Sequence, residues 1–142
     1  MNILILNGPN LGMLGQREPE VYGPETLADL EARLRKRFPD VQFTFFQSNH
    51  EGVLVDELNK AAGGGIDGVV INPGAYAHSS YAIRDAVAAL KIPVVEVHIT
   101  NVHAREEFRR RSLIAPVCRG VVTGLGRRGY ELAVQFLVDE RA

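Results

Sequence analysis

The sequence is short of several things, and each shortage removes a class of protein. Its 142 residues hold one cysteine, Cys118. An internal disulfide framework and a cysteine-based zinc site therefore have nothing to build on. Neither charge is in excess: Lys plus Arg make 16, Asp plus Glu make 17, and the net charge is -1. Binding of nucleic acid through bulk charge shows as a strong basic surplus, so it is not expected. The apolar runs are short and soon interrupted, so no membrane span is expected. The chain starts on a strand-like run, Asn2 to Leu6, without a basic n-region and cleavage site, and a cytoplasmic protein is the expectation. Glycine signatures for phosphate are missing too. There is no GxxxxGK followed by Ser or Thr, and Gly8-Pro9-Asn10-Leu11-Gly12 lacks the GxGxxG spacing. His50, His78, His98 and His103 form no HExxH pair, so a catalytic metal is not expected. Repeats, low-complexity segments and linkers are absent, and the length suits a single domain over 1–142.

What the chain does have is alternation. Ile3-Leu4-Ile5-Leu6 is a wholly apolar run ended by Asn7-Gly8-Pro9-Asn10, as in a strand buried on both faces. Residues 25–38 set Leu27, Leu30, Leu34 and Phe38 at helical spacing among charges. Strands are expected again at Val41 to Gln47, Val69 to Ile71, Pro93 to His98 and Gly120 to Thr123. Between and after them come helical stretches: Gly52 to Ala62, Ser79 to Leu90 with Ser79 or Ser80 as cap, Val102 to Arg111, and Gly129 to Val138. Strands alternating with helices imply an α/β fold with right-handed crossovers, here a flavodoxin-like open five-stranded parallel sheet with helices on both faces. Ligands of such sheets bind beyond the carboxyl ends of the strands, which directs attention to three segments.

The first, roughly residues 8–24, is far longer than the usual strand-to-helix connection of about two to six residues. It carries Asn10, Arg17 and Tyr22. It reads either as a mobile surface loop or as a binding lid with glycine hinges. The second follows Ile71. Pro73 holds Asn72 extended, and His78 stands where a helix should begin and its backbone donors favour a bound oxygen or anion. The third is Glu96-Val97-His98-Ile99-Thr100. Glu96 and His98 are two apart on a strand and share a face, where a carboxylate can fix an imidazole's tautomer and support its charge. Both segments also admit a plain structural reading, as turn and cap groups or a buried Glu–His hydrogen bond. Arg109-Arg110-Arg111 is a solvated helix face unless one guanidinium turns inward onto a carboxylate.

The stretches LNGPNLGMLGQREPEVYG, FQSNHEG, VINPGAYAHSSYAIRDA, EVHITNVHAREEF and GLGRRGYELA occur in this order along almost the whole chain. Together they resemble the type II 3-dehydroquinate dehydratases (type II dehydroquinases). The resemblance implies dehydration of 3-dehydroquinate to 3-dehydroshikimate in the shikimate pathway, by anti elimination through an enolate, without metal, cofactor or lysine Schiff base. It implies Tyr22 as the proton acceptor at C2, Arg17 as its activator and transition-state stabiliser, and Asn10 as a helper of the enolate. His98 would be the proton donor to the departing hydroxyl, oriented by Glu96. Asn72, His78, Ile99, Thr100 and Arg109 would bind substrate, Arg109 through the carboxylate. Asp85 would reach a neighbouring subunit's site in a homododecamer, a tetramer of trimers. Arg105 and Glu51 lie in matching motifs as supporting residues. Thr100 stands where serine is usual, and Arg110-Arg111 replaces a more histidine-rich stretch.

Physical chemistry sets a condition on this scheme. Free tyrosine titrates near pH 10, and burial alone favours the neutral phenol. A tyrosine acting as a base therefore needs a cation in close contact within a site that excludes water, which a closing lid supplies. A rival from another class is a flavodoxin-like module binding a nucleotide or flavin, and a third is an inert scaffold.

Overall fold

A computed structural model describes residues 1–141. Along the chain it forms β1 (Asn2–Asn7), α1 (Pro19–Tyr22), α2 (Leu27–Arg37), β2 (Gln42–Gln47), α3 (Glu51–Ala62), β3 (Gly68–Asn72), α4 (Tyr81–Ala88), β4 (Val94–His98), β5 (Gly120–Thr123) and α5 (Arg128–Arg141). The strands are all parallel and lie in the order β2-β1-β3-β4-β5. This is the flavodoxin-like order, with its switch point between β1 and β3.

Strand periodicity divides the apolar residues between two faces. Ile3 and Ile5 of β1 join Val70, Val95 and Val97 under α2 and α5, against Leu30, Leu34, Val134 and Leu137. Leu4 and Leu6 join Val69, Ile71 and Val94 under α3 and α4, against Leu54, Leu58, Ile83 and Val87. Each such leucine contributes about 1.5–3 kcal/mol by leaving water. Helix ends follow local chemistry. Thr26 and Asp29 form a reciprocal capping box on α2, and Ser80 Oγ accepts from Ile83 N at the start of α4.

Three expectations change. Val102 to Arg111 is not one helix but two 3-10 turns, Val102–Ala104 and Glu107–Arg110. Between them Arg105 is extended, at φ -110° and ψ -159°, which frees its side chain to turn back over the sheet. His78 does not open a helix: it ends a 3-10 turn, Gly74–His78, and α4 starts three residues later. The long first connection is also structured. It contains a 3-10 turn at Leu11–Met13 and then α1, and Leu11 and Leu14 are buried in the core.

Candidate active site

Asn7, Asn72 and His98 end β1, β3 and β4, so the sheet delivers three polar side chains to one edge. Their backbones are closely nested. Gly8 N donates to the Asn72 carbonyl at 2.8 Å, and a Cβ on Gly8 would stand 2.5 Å from the Pro73 oxygen, so only glycine fits. Asn72 is fixed through both amide atoms. Its Nδ2 donates to the Tyr130 hydroxyl at 2.9 Å, and its Oδ1 accepts from Gly74 N at 3.1 Å. The Tyr130 hydroxyl in turn donates to Asn7 Oδ1 at 2.6 Å. Tyr130 is fully buried, and that burial pushes its phenol well above the usual tyrosine value, so it serves as a neutral donor.

On β4, Glu96 is wholly buried and His98 nearly so. His98 Nε2 lies 3.0 Å from Glu96 Oε2, and Ser112 Oγ donates to Glu96 Oε1 at 2.8 Å. With Nε2 engaged, Nδ1 is the ring nitrogen free to act on a ligand. His78 stacks on His98 with ring centroids 6.1 Å apart, and its own Nδ1 lies 2.8 Å from the Arg111 carbonyl oxygen.

The first connection folds Tyr22 over this edge. The Tyr22 hydroxyl accepts from Arg105 Nη1 at 2.8 Å, and the same nitrogen reaches Thr100 Oγ1 at 3.3 Å. Arg17 and Arg105 both lie against the Tyr22 ring, their guanidinium carbons 5.4 and 5.5 Å from its centroid. The cation on the hydroxyl is thus Arg105, which sequence reading held only as supporting.

Between these walls lies a cavity of ≈ 80 Å³ lined by Arg17, Tyr22, Asn72, His78, His98, Ile99, Thr100, Arg105 and Arg109, among others. Ligand pockets usually span about 300–1,000 Å³, so this cavity is small by that measure. Arg109 is held by Glu106 at 2.5 Å, an ion pair that keeps the Glu106 carboxyl below its ordinary range. Asn10 is exposed and outside this lining, and its backbone N donates to Asn49 Oδ1 at 3.0 Å. Glu51, the first residue of α3, and Asp85, exposed on α4, also lie outside it. Among the described residues, no three His, Cys, Asp or Glu side chains gather as a metal site requires. None of the described helices is long and apolar enough to cross a membrane.

Sequence reading missed Asn7, Ser112, Arg127 and Tyr130. Asn7 had a signal, as a polar residue closing an apolar strand. Arg127 and Tyr130 lie in the matching stretch GLGRRGYELA, but neither they nor Ser112 show their partners locally, because those lie far away in the chain.

A family model described as dehydroquinase class II matches residues 1–138. A 3-dehydroquinate dehydratase of Bacillus licheniformis is 61% identical over 140 residues, covering 97% of this chain and 96% of that protein. The Bacillus subtilis protein of the same name is 54% identical, covering 99% and 95%. A crystal structure of type II dehydroquinase from Butyrivibrio crossotus superposes with a TM-score of 0.94 at 47% identity, covering 96% and 97%.

Proposed function

The chain belongs to the class II dehydroquinase family, and from that premise we propose how its own residues carry the reaction. The protein is a 3-dehydroquinate dehydratase, a hydro-lyase of the shikimate pathway. It removes a proton from C2 and the hydroxyl from C1 of 3-dehydroquinate, giving 3-dehydroshikimate and water.

Tyr22 as phenolate takes the C2 proton, and the electron pair moves onto the neighbouring ketone to form an enolate. The Arg105 guanidinium at 2.8 Å offsets the phenolate charge. At about 4 Å and an effective dielectric near 20, one such charge is worth about 4 kcal/mol, against about 1 in bulk water. Arg17 adds a second positive charge against the ring and stabilises the transition state. Asn10 helps the enolate once the lid has adjusted, through a bound water. The enolate then collapses, C1 loses its hydroxyl, and His98 Nδ1 supplies the proton that makes it water. Glu96 orients the ring and offsets the imidazolium charge, itself held by Ser112.

Base and acid come from the lid and the sheet, on different sides of the cavity, as anti elimination requires. Asn72, His78, Ile99 and Thr100 bind substrate. Arg109 exchanges Glu106 for the substrate carboxylate, which fixes the face presented to Tyr22. The observation that carries the scheme is the meeting of Tyr22, Arg105 and His98 in the lining of one cavity, with the Glu96 carboxylate bonded to His98 behind it. Tyr22→Phe should lose nearly all turnover while substrate still binds. Retained turnover would remove tyrosine as the base.

Residues 8–24 act as the lid, and the protein works in the cytoplasm. Asp85 sits on an exposed surface away from its own cavity, which suits a residue that completes a neighbour's site in a homododecamer. Sedimentation at the mass of one chain would contradict that assembly.

A further inference from the structure

Arg127 is a buried charged residue with no part in the scheme above. It follows the Gly124-Leu125-Gly126 turn, which is tied to the end of β4: Gly124 N donates to the His98 carbonyl at 3.2 Å, and Gly126 N to the Ile99 carbonyl at 3.0 Å. The Arg127 side chain is 8% exposed. Its Nη1 donates to the Tyr22 carbonyl at 2.6 Å and its Nη2 to the Glu25 carbonyl, while Nε lies 3.4 Å from Glu25 Oε2. Gly23 leaves room for this. A Cβ there would stand 2.7 Å from Nη1, and the backbone turns at φ +83°.

Burying a guanidinium is costly, and a carboxylate partner is the ordinary compensation. Here Glu25 faces Nε, and two further donors go to main-chain carbonyls that bracket the lid's downstream hinge, one of them on Tyr22 itself. A planar fork makes both bonds at once, and an ammonium makes one. We propose that Arg127 is a positioning residue that latches the Tyr22 end of the lid to the turn bonded to His98 and Ile99, so that base and acid keep a fixed separation. The proposal rests on the reading of Tyr22 as the base.

The test uses the full-length enzyme with Arg127→Lys, which keeps a cation opposite Glu25 and loses the fork. A displacement near 1 Å at the reacting atoms costs about 100-fold, so kcat should fall by about 10- to 100-fold while KM changes by less than about threefold. In a Tyr22→Phe background the same substitution should lower the residual turnover no further, because Arg127 acts through Tyr22. Wild-type kcat in Arg127→Lys, a loss confined to KM, or a full additional loss in the double variant would each overturn the latch. Should Arg127→Lys fail to fold, Gly23→Ala displaces the same guanidinium from the lid side and must show the same kcat loss; unchanged kcat there would overturn the latch. An active Tyr22→Phe enzyme would remove the base reading and the latch with it, whereas an inactive Tyr22→Phe beside a fully active Arg127→Lys removes the latch alone.

Discussion

At the scale of single residues, the site is a pair of charge arrangements facing each other. The Tyr22 side chain meets two guanidiniums, and among the described residues only Arg105 reaches its hydroxyl. Arg105→Met keeps the aliphatic stem and removes the charge, so it should cut kcat by about 100-fold or more, the loss of roughly 3 kcal/mol of charge stabilisation. Steady-state kinetics at saturating substrate measures this, and an unchanged kcat would return the role to Arg17 alone. Glu96 and His98 were legible from sequence, because two polar residues on one face at the end of an apolar strand need partners or a use. Tyr130 was not. It bonds Asn72 and Asn7, 58 and 123 positions away, and nothing local marks a tyrosine in a helix as the keystone of a strand edge.

At the scale of elements, the first connection divides into a buried part and an exposed part. Leu11 and Leu14 are buried, whereas Arg17, Glu18 and Glu20 are exposed. Glu18 holds a left-handed conformation, φ 40° and ψ 58°, directly before Pro19. Such a backbone costs about 1–3 kcal/mol and persists only where neighbours enforce it. Trypsin should therefore cut after Arg17 in the free enzyme, and saturating 3-dehydroshikimate should slow that cut several-fold; equal rates with and without product would contradict a lid. The length of this connection was plain in the sequence. Its fold was not, since α1 follows from Pro19 and contacts with Arg127, not from a helical apolar pattern. The same holds for Val102 to Arg111. Its charges suit a helix, but the link from Arg105 to Tyr22 requires an extended residue in the middle.

At the scale of the whole molecule, alternate apolar residues placed every strand within one residue and the long helices within three, because each face of the sheet needs its own cover. The buried Tyr130 hydroxyl and the half-buried Cys118 thiol add a pH limit. Burial pushes the Cys118 thiol up to about 12 and raises Tyr130 further. The unfolded groups titrate near 8.5 and 10, so the folded chain holds protons that the unfolded chain has lost. This contribution to stability is complete below about pH 8.5 and is lost as the pH rises toward the folded values. Thermal unfolding should show Tm falling from about pH 9 upward, and less steeply in Cys118→Ala. A flat Tm to about pH 11 would contradict the burial of both groups.

The central claim is that this sheet edge, beneath Tyr22 and Arg105 and above Glu96 and His98, dehydrates 3-dehydroquinate without added metal or cofactor. The product is a conjugated enone that absorbs in the ultraviolet, and the substrate is not. Purified protein treated with chelator and mixed with 3-dehydroquinate should show absorbance that grows in proportion to enzyme concentration. No growth at any enzyme concentration, or growth that requires an added metal, would contradict the account.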